Sequence, residues 1–208
     1  MSFSIDMLVV LIQMACVIVV VAQVVVAWPF LRLTLEQKGT WRQIVIIAIL
    51  FGLLSIFGTY SGLEILGAKI NIRDLGPMIA GLIAGPYAGL GAGLIGGIQR
   101  YSLGGITAVP CSLATFLAGL FGGLIYLRYG HRFCGVPVAV GFAILMECLH
   151  MLMQLSMVQP FSVALEIVST SAIPMIVANA LGMAAFSIII SDYLTRMKEK
   201  RTKETGES

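Results

Sequence analysis

Residues 71–100 read NIRDLGPMIAGLIAGPYAGLGAGLIGGIQR, a membrane-length apolar run with a glycine on almost every turn and an arginine near each end. Gly81, Gly85, Gly89, Gly93 and Gly97 recur every four residues, so on a helix they form overlapping GxxxG units, a groove that another backbone can approach closely. Four residues turn a helix through about 400°, so the groove drifts by about 40° per step. Pro86 directly follows Gly85; it removes an amide donor, its ring clashes with the carbonyl four residues back, and the pair predicts a kink or break. On one straight helix Arg73 and Arg100 would stand about 40 Å apart, on opposite sides of the bilayer. A break at Gly85-Pro86 that folds the run into a re-entrant hairpin brings both guanidiniums to one mouth, in the manner of broken helices that line cavities. The alternative is tight packing of a kinked helix with each arginine snorkelling to an interface.

Composition sets the frame for this stretch. The chain has 208 residues, 59% hydrophobic and 11% charged, with a mean hydropathy of +0.99. Soluble domains carry about 25% charged residues, so this is an integral membrane protein. Six apolar segments approach the length of about 20 residues needed to cross the bilayer: 7–28, 44–60, 76–98, 106–127, 136–158 and 167–190. The fold class expected is an all-α polytopic membrane protein with six hydrophobic segments, five or six spans, and a Gly-rich, Pro-interrupted third segment. The first segment has no basic leader and a long apolar core, so it reads as a span rather than a signal peptide.

Two topologies compete. Six crossings place both termini in the cytoplasm and divide the basic residues 9 inside to 4 outside; five crossings plus a re-entrant loop give 10 to 3, with the N-terminus outside. The positive-inside rule mildly favours the second, and either way the C-terminus is cytoplasmic. The expected division is a membrane domain over 1–195 and a tail over 196–208 that carries Arg196, Lys198, Lys200, Arg201 and Lys203, a surface anchor or the start of a linker to an output domain. A net charge of +3 gives no footprint for nucleic acid. Cys16, Cys111, Cys134 and Cys148 have no CxxC spacing, so neither a zinc site nor a disulfide framework is expected. No nucleophile elbow, phosphate loop, HExxH or dinucleotide motif is present, and neither enzymatic activity nor a cofactor is expected of this chain.

Polar residues in apolar surroundings mark the candidate site. Two converging guanidiniums offer planar forks suited to a carboxylate or phosphate, and Arg73, Arg100 and the amide of Asn71 form a candidate receptor for a small anion. Asn71 serves equally well as a local cap. Cys111 follows Pro110, with Ser112 and Thr115 within a turn; these three supply small polar contacts at the same mouth or merely cap and pack their helix. Glu147 and His150, three residues apart, share a helix face, either as a mutually satisfied pair or as part of a site. A Glu-x-x-His step also occurs in carboxylate-bridged metal bundles, but those need further carboxylates and a second such step, so no metal is expected. Asn179 and Gly182, about one turn apart, read as helix-helix contacts.

The pattern N-x-R at Asn71 to Arg73, GP..G...G..GG..R from Gly85 to Arg100, the Gly104-Gly105 pair and Cys111 resembles the LytS-type five-transmembrane receptor domain, and the likeness runs on weakly through Glu147 to Met151 and Asn179 to Gly182. The resemblance implies a membrane input domain of signalling proteins, joined to histidine kinase or diguanylate cyclase modules, with some members responding to small carboxylates such as pyruvate. Carried over, Arg73, Arg100 and Cys111 are the first ligand candidates, followed by Thr115 and Ser112. The expected function is a sensor in the cell (inner) membrane that binds a small extracellular anion and signals to a cytoplasmic output domain in cis or a partner in trans, as a homodimer where that output is a kinase. The alternative is the substrate-binding subunit of an energy-coupling-factor transporter, which shares the size and glycine content.

Overall fold

The computed structural model describes residues 5–35, 40–65 and 68–205. In chain order the elements are α1 (Ile5–Ala27), α2 (Pro29–Leu35), α3 (Trp41–Ser61), β1 (Leu63–Ile65), β2 (Ala68–Ile70), α4 (Leu75–Ala84), α5 (Pro86–Ser102), α6 (Ala108–Arg128), α7 (Val136–Met157) and α8 (Phe161–Thr205). Lipid offers the backbone no hydrogen-bond partners, so apolar segments satisfy themselves as helices. The strands form a short antiparallel hairpin that leads into the polar turn ahead of α4.

α1, α3, α6 and α7 contain 23, 21, 21 and 22 residues, each enough to cross a core about 30 Å thick. The apolar part of α8 makes a fifth span by length and composition. Thr40 starts α3 with a capping box, its N–H and hydroxyl both reaching the buried Gln43 side chain.

The third apolar run is two helices. Gly85, at φ 85° and ψ −174°, ends α4, and Pro86 opens α5 at a position where its missing N–H costs nothing. α4 has 10 residues, about 15 Å and half a crossing. The chain then turns back: a Cβ placed on Gly89 would lie 2.9 Å from Gly81 Cα. Eight residues of straight helix would hold these glycines about 12 Å apart. The re-entrant hairpin is therefore present, and the six-span alternative, which needs the run to continue across, is corrected to five spans plus a hairpin.

The glycine ladder is the surface on which this hairpin meets α6. A Cβ on Gly81 would fall 2.5 Å from Gly123 N, on Gly89 2.2 Å from Gly119 O, on Gly93 3.1 Å from Phe116 Cα, and on Gly97 3.1 Å from Ser112 O. As α5 advances its contacts on α6 recede, so the two helices are antiparallel neighbours. Helices in lipid gain little from the hydrophobic effect and associate through such close backbone packing. Ile18, Phe51, Leu75, Met78, Ile79 and Phe186 fill the apolar centre, with Phe51 and Phe186 edge to face at 6.0 Å.

The last helix differs from its expected extent, 167–190. α8 runs for 45 residues, about 68 Å, over twice the bilayer core, because its polar end from Asp192 onward still propagates helix. Lys38 and the tail residues 206–208, used in reading topology and domains, lie outside the described residues.

Candidate functional site

Asn71 begins the site with a local turn. Its Oδ1 accepts the Arg73 N–H at 2.9 Å, an Asx turn that fixes the backbone ahead of α4. All residues from 71 to 85 are buried, so this turn carries Asn71, Arg73 and Asp74 into the protein interior. The local cap expected of Asn71 is present.

Arg73 is fully buried. Its Nε donates to Thr115 Oγ1 at 2.8 Å and lies 3.5 Å from Asp74 Oδ1. Its Nη1 and Nη2 have no hydrogen-bond partner among the described residues. Thr115 Oγ1 also lies 2.5 Å from Asp74 Oδ1 and 2.9 Å from the Cys111 carbonyl, and its single proton serves one of these two acceptors at a time.

Arg100 is also buried, but its fork is engaged. Nη1 donates to the Gly104 carbonyl and Nη2 to Thr107 Oγ1, each at 2.8 Å. These bonds fasten the turn between α5 and α6, where Gly104 and Gly105 take positive φ of 69° and 88°. Thr107, Cys111 and Thr115 follow one another at four-residue steps, on one face of α6. Arg100 therefore attaches at the start of α6 and Arg73 about 12 Å further along it. The hairpin does bring both guanidiniums to one end of the bundle, at different depths.

α7 closes the cluster from the opposite side. Glu147, His150 and Gln154 are buried on one face of that helix. His150 Nδ1 lies 3.0 Å from Asp74 Oδ2 and 3.6 Å from Glu147 Oε2. The ring N–H line meets neither oxygen, so these are close charge contacts without a hydrogen bond. On the other edge of the ring, Nε2 is 3.3 Å from Cys111 Sγ and 3.1 Å from Gln154 Nε2. Cys111, Thr115, Glu147 and His150 thus share one interior site with Arg73, with Asp74 as its hub.

Ser112 does not join them. Its hydroxyl donates to the Ala108 carbonyl at 2.7 Å, and its side chain borders an apolar groove of about 370 Å³ with Gly97, Ile98, Tyr101 and Phe116. Asn179 donates to the Met175 carbonyl at 2.9 Å and reaches towards the Asn71 carbonyl at 3.5 Å, which sets α8 against the Arg73 turn.

Asp74, Thr107 and Gln154 belong to this network and were not singled out from the sequence. Asp74 carries the signal that any ionisable residue in an apolar run carries, and Gln154 lies one turn beyond His150 on the same stripe. Thr107 offers no such signal, because a threonine before a helix is an ordinary cap.

Residues 28–193 match the family model described as 5TMR of 5TMR-LYT. The chain is 32% identical over 195 residues to the sensor histidine kinase BtsS of Escherichia coli (strain K12), covering 91% of this chain and 35% of that protein. It is 32% identical over 219 residues to the sensor protein LytS of Bacillus subtilis (strain 168), covering 97% of this chain and 37% of that protein. With the sensor histidine kinase YpdA of Escherichia coli (strain K12) it shares 31% over 158 residues, 72% of this chain and 27% of that protein. The chain spans about a third of the length of the first two relatives. No solved structure matches it. With the match extending across the hairpin, the polar cluster and the apolar part of α8, the chain belongs to the 5TMR of 5TMR-LYT family, the membrane sensor domain of LytS-type histidine kinases.

Proposed function

We propose that this domain receives a small carboxylate at Arg73 and passes the resulting change in packing, through α8, to a cytoplasmic kinase or cyclase module joined in cis or bound in trans. The observation that carries the reading is the Arg73 guanidinium, fully buried with both terminal nitrogens unpartnered among the described residues. Asp74 lies against the inner nitrogen only; buried donors left unpaired are costly, and a guanidinium does not shed its proton, so the open fork suits an anion of matching planar geometry. Thr115 and Cys111 border the same space, and Arg100, held to the α5-α6 turn, shapes its mouth and adds positive potential.

The route outward begins at the Asn71 turn. Asn179 reaches the Asn71 carbonyl, and a Cβ at Gly182 would meet Leu75 Cδ1 at 2.5 Å, so α8 packs directly on the start of α4. A ligand that favours one packing of this turn over another biases α8, and differential affinity for the two packings is all such a mechanism requires. The continuous α8 then carries the bias beyond the bilayer as a helical linker from residue 196. The basic tail supports a cytoplasmic position for that end and, with five spans, an outside N-terminus. Dimerisation through the output module completes the proposal.

The test is a thermal-unfolding titration of the purified chain against small carboxylates, including acetate, pyruvate and succinate, repeated on Arg73→Ala and Arg100→Ala. A carboxylate at about 100 times its dissociation constant stabilises the wild type by about 2.7 kcal/mol. That shift should vanish in Arg73→Ala and shrink in Arg100→Ala. Equal stabilisation of all three proteins would exclude the site.

A further inference from the structure

Arg73 and Arg100 bring two positive charges to this end of the bundle, and Asp74 and Glu147 bring two negative ones, all on side chains at most 2% exposed. With both carboxylates ionised, an incoming anion would enter a site of no net charge and lie close to Asp74. With His150 neutral, a receptor for anions built this way needs compensating positive charge, as a proton or a further cation, and the three side chains Asp74, Glu147 and His150 offer a cation a place.

Glu147 is fully buried, and neither of its carboxylate oxygens has a hydrogen-bond partner among the described residues. It faces His150 Nδ1 at 3.6 Å, and that nitrogen lies 3.0 Å from Asp74 Oδ2 without bonding to it. One oxygen of each carboxylate and one imidazole nitrogen thus fall within 4.8 Å of one another. Donors around one ion at bond lengths of about 2.0–2.2 Å stand roughly 3–3.6 Å apart, which matches the two closest separations here. The third donor comes from a separate element: Glu147 and His150 share a face of α7, and the turn ahead of α4 adds Asp74.

The surroundings orient this set. Asp74 Oδ1 is occupied by Thr115, which leaves Oδ2 for the His150 side. An amide group can be read either way round, and with its oxygen turned towards His150 the Gln154 side chain accepts the Nε2–H, leaving the Nδ1 lone pair for a cation. One nitrogen and two carboxylate oxygens suit a borderline divalent ion better than Ca²⁺ or Mg²⁺, which take more oxygen donors.

We propose that Asp74, Glu147 and His150 bind one divalent transition-metal ion of the Zn²⁺ class, with an open coordination position beside Arg73. Its charge offsets the two carboxylates and leaves the guanidiniums available to an anion. The charge argument rests on the anion reading of Arg73; the convergence of the three donors does not. The expectation of no metal rests on the lack of further carboxylates and of a second Glu-x-x-His step; Asp74 brings one carboxylate to Glu147 and His150 from a separate element.

The experiment strips the full chain with a chelator and titrates it with Co²⁺, whose visible absorption reports its ligands, using Zn²⁺ as competitor and adding no carboxylate. One Co²⁺ should bind per chain and be displaced by Zn²⁺. Asp74→Asn and Glu147→Gln should each weaken binding by more than about tenfold, while Glu166→Gln, on the exposed face of α8, leaves it unchanged. No cobalt absorption in the folded wild type overturns the proposal, whatever the variants do. So does a thiolate charge-transfer band, which would put Cys111 in the coordination sphere, or a Co²⁺ affinity that both carboxylate variants retain. Proton uptake on carboxylate binding with no metal bound would assign the compensating charge to a proton, again overturning it. Metal binding without any response to carboxylates would instead remove the anion reading and leave the metal site standing.

Discussion

Arg73 and Arg100 lie at opposite ends of one glycine-rich stretch, and both end up buried against the same face of α6, about 12 Å apart along it. Arg100 places both terminal nitrogens on protein oxygens, the Gly104 carbonyl and Thr107 Oγ1. Arg73 is held by its inner nitrogen, through Thr115, and presents both terminal nitrogens unpartnered among the described residues. One guanidinium closes a turn; the other is held from behind with its fork available. Burial alone therefore does not single out a receptor arginine; the proposal for Arg73 rests on which of its nitrogens are bound.

The largest effect on this comparison should come from the packing that underlies it. A Cβ at Gly89 would lie 2.2 Å from Gly119 O, which is backbone and cannot swing aside. Gly89→Ala should push α5 off α6, at about 1–3 kcal/mol or more, lowering the melting temperature and removing any carboxylate response together. A wild-type melting curve would mean the two arginines are not placed by this contact.

A smaller and more selective effect should follow from exchanging each arginine for lysine, which keeps the charge and loses the fork. Arg73→Lys should weaken the carboxylate-induced shift by about tenfold in concentration, its main effect, while the lost Nε–H bond to Thr115 lowers stability by about 1 kcal/mol. Arg100→Lys should do the reverse, lowering stability by about 1–3 kcal/mol as one oxygen of the turn loses its donor, with a lesser change in ligand response. Identical behaviour of the two variants would erase the distinction drawn between them.

The smallest effect should come from Ser112→Ala. Its hydroxyl bonds within its own helix, on the groove side of α6, so stability should stay within about 0.5 kcal/mol and the carboxylate response should not move. A lost response would bring Ser112 into the site.

Much of the fold was legible in local chemistry. Gly85 and Pro86 placed the break because one residue tolerates a positive φ and the other has no amide to leave unpaired. The four-residue glycine spacing identified the close packing surface, though not that α6 would supply the facing backbone at Ser112, Phe116, Gly119 and Gly123. The site was half legible. Arg73, Cys111, Thr115, Glu147 and His150 stood out as polar groups in apolar runs, but so did Ser112, which turns away. Asp74 passed unnoticed beside a more conspicuous arginine. The family match favours the receptor reading over the transporter one, which size and glycine content had left open.

What the sequence determined by itself was a helical membrane protein with a broken, glycine-lined third segment, because lipid leaves a backbone no alternative to satisfying its own hydrogen bonds. What only the tertiary structure decided was which polar groups meet. Thr115 reaches Asp74 across 41 positions and Cys111 reaches His150 across 39, distances over which no local periodicity carries information. The separation of Arg73 from Arg100 was likewise decided by packing, since the Asx turn at Asn71 and the close approach of α5 to α6 fix where each guanidinium points.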